Sequence, residues 1–113
     1  MVVSVPAIRT AESVRRWLES RAGLWGPASV SDDLVETLAR FCEDLGLEPD
    51  EMIDECLRPT PDSEAYVLRT RARRRYMEEI EKFEERTGSR KLANVVRSFF
   101  IHNGVAMNPT ILG

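Results

Sequence analysis

The sequence is poor in the side chains that most chemistry and most covalent scaffolding need. It has one histidine and two cysteines in 113 residues. Cys42 and Cys56 lack a CxxC spacing and fall on apolar faces of helical patterns. Buried reduced thiols are expected there, not a disulfide. With His102 they make only three soft ligands, too few for a closed Cys/His zinc site, so no metal and no cofactor are expected. Glycine-rich phosphate loops of the Walker or dinucleotide type are missing. No apolar run nears the roughly 18 residues of a membrane span. The opening MVVSVPAIRT is too short and too weakly apolar for a signal peptide, which predicts a cytoplasmic protein with no membrane partner. Tyr66 and Tyr76 have no acid–base neighbours, and His102, beside Asn103 and Gly104, reads as a cap or surface residue. No catalytic constellation can be assembled, so neither an enzyme nor a small-molecule substrate is expected.

Strand signals are lacking as well, because no segment alternates apolar and polar residues between turns. Helical periods recur instead. Thr10 is placed to cap a first helix through about Ala22, with Val14, Trp17 and Leu18 on one face. Gly23–Val30 reads as a loop broken by Gly26-Pro27, with Trp25 as a core plug. Ser31 caps a second helix to Leu45, which buries Leu34, Leu38, Phe41, Cys42 and Leu45 and is stopped by Gly46. Pro49 opens a short third helix with Met52, Ile53, Cys56 and Leu57 inward and Asp50, Glu51, Asp54 and Glu55 in water. Arg58–Ser63 is a proline-containing turn. A long fourth helix is expected from Asp62 or Ser63 to Arg86, with Ala65, Leu68, Ala72, Tyr76 and Phe83 on one face and Ile80 at its edge. Gly88 ends it. The length and these patterns predict one domain over 1–113, an all-α bundle of four to five helices.

The fifth helix organises the rest. Ser89 is its N-cap and Gly104 lies just past its end. Leu92, Val95, Val96, Phe99 and Phe100 share one broad face, while Arg90, Asn94 and Arg97, at i, i+4, i+7, line the opposite one. Arginine offers a bidentate fork for phosphate or guanine, and asparagine can pair with an adenine edge. The fourth and fifth helices, joined by two or three residues, should form an antiparallel hairpin.

A net charge of −3 hides an asymmetry. Residues 1–60 carry six basic and twelve acidic side chains, net −6, whereas residues 61–113 carry ten and seven, net +3. A polyanion should therefore meet the second half. The RTRARRR run places Arg71, Arg74 and Arg75 on one flank of the fourth helix and Arg73 on the other. Its alternative use is ion pairing, Arg74 with Glu78 and Arg75 with Glu79, worth a few tenths of a kcal/mol per pair.

Four stretches resemble the N-terminal core-binding, SAM-like domain of tyrosine recombinases, the phage-integrase family. SVRRWLESR resembles its opening helix, and DDLVETLARFCEDLGLEPDEMI its second helix with the G-x-x-P-D-E-L/I turn. SRKLANVVRSFFIHNGV resembles its last helix, and MNPTIL the Asn-Pro element that begins a linker. Together they cover roughly Ser13 to Leu112. The resemblance implies a module that grips double-stranded DNA, with residues 106–113 starting a linker to an absent catalytic domain. The chain would be a fragment or a solitary module, and its other partners would be recombinase protomers on the same DNA. The DNA contacts it implies on the last helix are Ser89, Arg90, Lys91, Asn94 and Arg97, beside the Arg71, Arg74 and Arg75 cluster. One departure is the acidic start Ser31-Asp32-Asp33, where the family often carries Thr and basic residues. Either the footprint shifts to the fourth and fifth helices, or DNA binding is lost. The alternative function is a helical protein-interaction module.

Overall fold

The computed structural model describes residues 8–59 and 66–107. Within them the chain is an all-α bundle with one short hairpin. The order is α1 (Glu12–Trp25), a 3-10 turn (Pro27–Ser29), α2 (Asp32–Leu45), α3 (Pro49–Cys56), β1 (Leu57–Pro59), β2 (Tyr66–Leu68), α4 (Thr70–Thr87) and α5 (Arg90–His102).

α1 follows an extended Ala11 rather than Thr10. Its second backbone amide, at Ser13, donates to Asp50 Oδ1 at 2.9 Å. Asp50 therefore turns back from the start of α3 to satisfy an orphan amide of α1, instead of simply facing water. α1 continues through Trp25, past the expected end near Ala22, until Gly26 at φ 86 stops it. α2 begins after Ser31 and closes on Gly46 at φ 68, a left-handed conformation that glycine adopts without a Cβ clash. Val35, Leu38, Ala39, Phe41 and Cys42 form its buried face, with Leu34 and Leu45 only half-buried at its edge.

Helix α4 starts at Thr70, well after the expected Asp62 or Ser63. Leu57, Arg58 and Pro59 pair antiparallel with Leu68, Val67 and Tyr66, so the chain is extended where a helical turn was expected. The amide of Arg69 then donates to the Cys56 carbonyl at 2.7 Å, closing the hairpin onto α3. The expected helical positions Asp62 to Ala65, and the Asn108–Leu112 element, lie outside the described residues.

Gly88 ends α4 at φ 65, and Ser89 Oγ accepts from the Leu92 amide at 3.2 Å, the N-cap read from the sequence. α4 and α5 thus make the expected helical hairpin. The core is aromatic and lies where α1, α2 and α4 meet α5. Trp17 packs edge-on to Phe99, Phe41 edge-on to Phe83, and Tyr76 against Phe100, with ring centroids 5.4–5.6 Å apart. All six rings are fully enclosed. Such edge contacts add about 0.5–1.5 kcal/mol each beyond area burial.

Candidate nucleic-acid interface

The basic half divides into two groups. The first is the start of α4, where Arg69, Arg71, Arg74 and Arg75 are exposed. Among the described residues, Arg71 and Arg74 have no carboxylate within ion-pair distance. Arg75 is committed elsewhere. Its Nη1 lies 3.4 Å from Glu55 Oε2 on α3, and its guanidinium stands 5.5 Å over the Tyr76 ring. Arg73 donates to the Ala106 carbonyl. The expected Arg74–Glu78 and Arg75–Glu79 pairs are not formed, and Glu79 pairs with Lys82 instead. Exposed pairs with the acid C-terminal to the arginine gain too little to hold two long side chains in one geometry.

The second group is the start of α5. Arg90 is 78% exposed at its side chain, and its Nε lies 3.7 Å from Glu84 Oε2. Lys91 is exposed and unpaired among the described residues. It stands on the rim of a groove between α2 and α5, floored by Leu34, Leu92 and Val95 and faced by Asp33 and Glu36. Ser89 spends its hydroxyl on the helix cap.

Arg97 departs from the expected solvent-facing ridge. Its side chain is only 11% exposed. Its Nη1 donates to Asn94 Oδ1 at 2.8 Å and to Glu84 Oε1 at 3.5 Å. Glu84 belongs to α4, so this arginine lies in the seam of the helical hairpin rather than opposite it. A helical wheel of α5 alone assigns Arg97 to the outer face. It cannot show that α4 packs along that flank.

The two groups do not converge. Thirteen residues separate Arg71 from Glu84, about 20 Å along the axis of α4 at 1.5 Å per residue. That is roughly six base pairs of duplex at 3.4 Å each. At 100° per residue Arg74 lies about 80° around α4 from Glu84, whereas Arg71 lies about 140° and Arg75 about 180° away. A rod-like ligand along this hairpin that meets Arg74 and Arg90 passes the exposed Glu78 and Glu81, has Arg71 farther round α4, and leaves Arg75 aside.

The acidic α2 start is less forbidding than its sequence suggests, since Asp32 is bonded to Arg9. Farther along, Asp44 pairs with Arg86 at 3.0 Å. α3 keeps Glu51 and Asp54 in solvent.

Three residues outside the expected site organise its supports. Asn103 is buried and fully used: its amide donates to the Ser13 and Phe99 carbonyls at 3.0 and 2.9 Å and its oxygen accepts from Arg16 at 2.9 Å. Arg21 donates to the Ser29 carbonyl and to Ser98 Oγ, tying α1 to the 3-10 turn and to α5. His102 Nδ1 and Ser20 Oγ are hydrogen-bonded at 2.7 Å, so the histidine is not the isolated cap it resembles in the sequence. Burial and then the Arg21 charge lower its pKa from the ordinary 6.5.

Trp25 is not a core plug. It is 60% exposed on the last turn of α1, edge-on to His102 with centroids 5.5 Å apart and with the Arg21 guanidinium 5.2 Å over its ring. Because α1 runs on to Trp25, its side chain follows the helix surface instead of folding inward from a loop.

Both cysteines are buried and free, as expected, and burial pushes their thiols up, Cys42 to about 12 and Cys56 to about 11. Burial also raises the Tyr76 phenol, with Glu55 adding to the effect. Among the described residues no group of three or more His, Cys, Asp or Glu is arranged to hold a metal ion. No helix among them is long and apolar enough to cross a membrane.

No protein family, no curated protein and no solved structure matches this chain.

Proposed function

We propose that this chain is a duplex-DNA-binding module resembling the core-binding, SAM-like domain of tyrosine recombinases, with the chemistry of strand exchange residing in another domain. The observation that carries this reading is the set of unpaired, exposed cations on one helical hairpin. Arg71 and Arg74 sit at one end, and Lys91 stands at the other beside the loosely paired Arg90. Their separation along α4 corresponds to the length of about six base pairs of duplex. Contacts of this type position a protein on DNA and carry little sequence information by themselves. Tyr76 is fully enclosed by the core, so it cannot offer a phenolate to a phosphate.

Binding should be of the non-specific kind, about 10⁻⁴–10⁻⁶ M at physiological salt. The test is fluorescence anisotropy with a labelled 20-base-pair duplex at several salt concentrations. Replacing Arg71 and Arg74 together by Ala should weaken binding and lower the salt slope by about two units, near 0.9 for each phosphate left without its cation. Glu36→Gln should not weaken it. Wild-type protein that fails to bind at low salt, or a double variant equal to wild type, contradicts the reading.

One observation favours the protein-interaction alternative. Leu24 and Trp25 at the end of α1 are 66% and 60% exposed, and Ile101 in the last turn of α5 is 42% exposed. Trp25 stands against His102, the neighbour of Ile101, and exposed apolar side chains of this kind suit a protein partner. A chain that ignores DNA but oligomerises through Trp25 would support that function instead.

A further inference from the structure

Glu84 is the only carboxylate among the described residues that lies within ion-pair distance of two arginines. Its Oε1 stands 3.5 Å from Arg97 Nη1 and its Oε2 stands 3.7 Å from Arg90 Nε. The same Arg97 nitrogen holds Asn94 Oδ1 at 2.8 Å. These are three of the polar side chains that α5 could offer a nucleic acid; in the free protein both arginines lie against one acid on α4, and Asn94 is held by Arg97.

The consequences are specific. An asparagine reads adenine by accepting through Oδ1 while donating through Nδ2. Here the Arg97 guanidinium occupies that oxygen. Arg97 itself is 11% exposed, so it cannot reach a phosphate without leaving Glu84. Arg90 is 78% exposed, and a contact of 3.7 Å to a half-exposed carboxylate in water is weak. A phosphate oxygen can displace it.

We infer that Glu84 is a carboxylate latch, which holds Arg97 and Asn94 inward and Arg90 aside until duplex phosphate competes for the guanidinium groups. This rests on the DNA-binding reading above. In the latched state the available cations are Arg71, Arg74 and Lys91, enough for backbone attraction. Release adds Arg90 and Arg97 as phosphate contacts and frees Asn94 for a base edge. The latch sets a step between loose and close engagement.

Anisotropy titrations of wild type, Glu84→Gln, Glu84→Asp and Glu85→Gln, each as the 113-residue chain, against one labelled duplex test this. Glu85 is exposed, adjacent on α4, and has no arginine within ion-pair distance among the described residues. Its substitution therefore repeats the charge change without touching the latch. Glu84→Gln should bind several-fold tighter than Glu85→Gln and steepen the salt slope by about one to two units, one for each guanidinium released. Glu84→Asp keeps the charge but withdraws the carboxylate by one methylene, so it should also bind tighter than wild type. Equal affinities for Glu84→Gln and Glu85→Gln overturn the latch and leave DNA binding standing. So does tightening by Glu84→Gln without tightening by Glu84→Asp, since charge alone would then explain it. Weaker binding by Glu84→Gln also overturns it, because the acid would then position the arginines for DNA. If none of the four proteins binds at low salt, the DNA-binding reading itself fails.

Discussion

At the scale of single residues, burial decides which polar groups are supports and which are available to a ligand. Asn103 and Arg16 look like ordinary polar residues in the sequence. In the fold they join the two ends of the chain, because Asn103 reaches the Ser13 carbonyl ninety positions away. Nothing local announces such a partner. The cysteines and Ser89 were legible because their roles depend on their own helix. Arg97 and Trp25 were not, because their exposure is fixed by α4 and by where α1 stops. His102 gives a pH test of this level. Its pKa in the fold is below the ordinary 6.5, with burial the main cause. The unfolded chain therefore takes up its proton first as pH falls. The neutral histidine contributes stability above pH 6.5 that is lost as pH drops through its folded pKa. The melting midpoint of wild type should fall relative to His102→Gln between pH 7 and pH 5. Parallel curves for the two proteins over that range would show that His102 is not held neutral.

At the scale of elements, the helix periods and glycine stops carried most of the information. Gly46 and Gly88 end their helices in the left-handed conformation, and α2, α3 and α5 begin within a residue of their capping signals. The start of α4 was misread because Ser63 offers a cap and Ala65, Leu68 and Ala72 continue a helical period. The competing signal was Tyr66-Val67-Leu68, an aromatic, a β-branched and an apolar residue in a row, opposite Leu57–Pro59. Pairing with β1 outweighed helical preference there. The inner face of α5 gives the sharpest test of packing. Phe99 is fully buried against Trp17 and Phe100. Phe99→Ala should cost about 3–5 kcal/mol. That is a large part of the roughly 5–15 kcal/mol typical of a small domain. The melting midpoint should drop by more than about 10 °C. A shift of a degree or two would mean that this face of α5 is not the core.

At the scale of the whole molecule, charge is separated along the chain and then partly cancelled in space. Arg9, Arg75 and Arg86 neutralise Asp32, Glu55 and Asp44, respectively. What remains is an acidic surface on α3 and two exposed basic groups on α4 and α5, with the exposed Glu78, Glu81 and Glu85 on the same hairpin. The sequence asymmetry predicted that division, but not that the basic residues would sit in two groups about 20 Å apart along α4. On the proposed function, duplex DNA lies along this hairpin. The most direct measurement is backbone amide NMR of the full chain, titrated with a 20-base-pair duplex at low salt. The largest shifts should fall at Arg71, Arg74, Arg90 and Lys91, with Glu51 and Asp54 on α3 unmoved. Shifts centred on Leu24, Trp25 and Ile101, or no shifts at any of these positions, would contradict it.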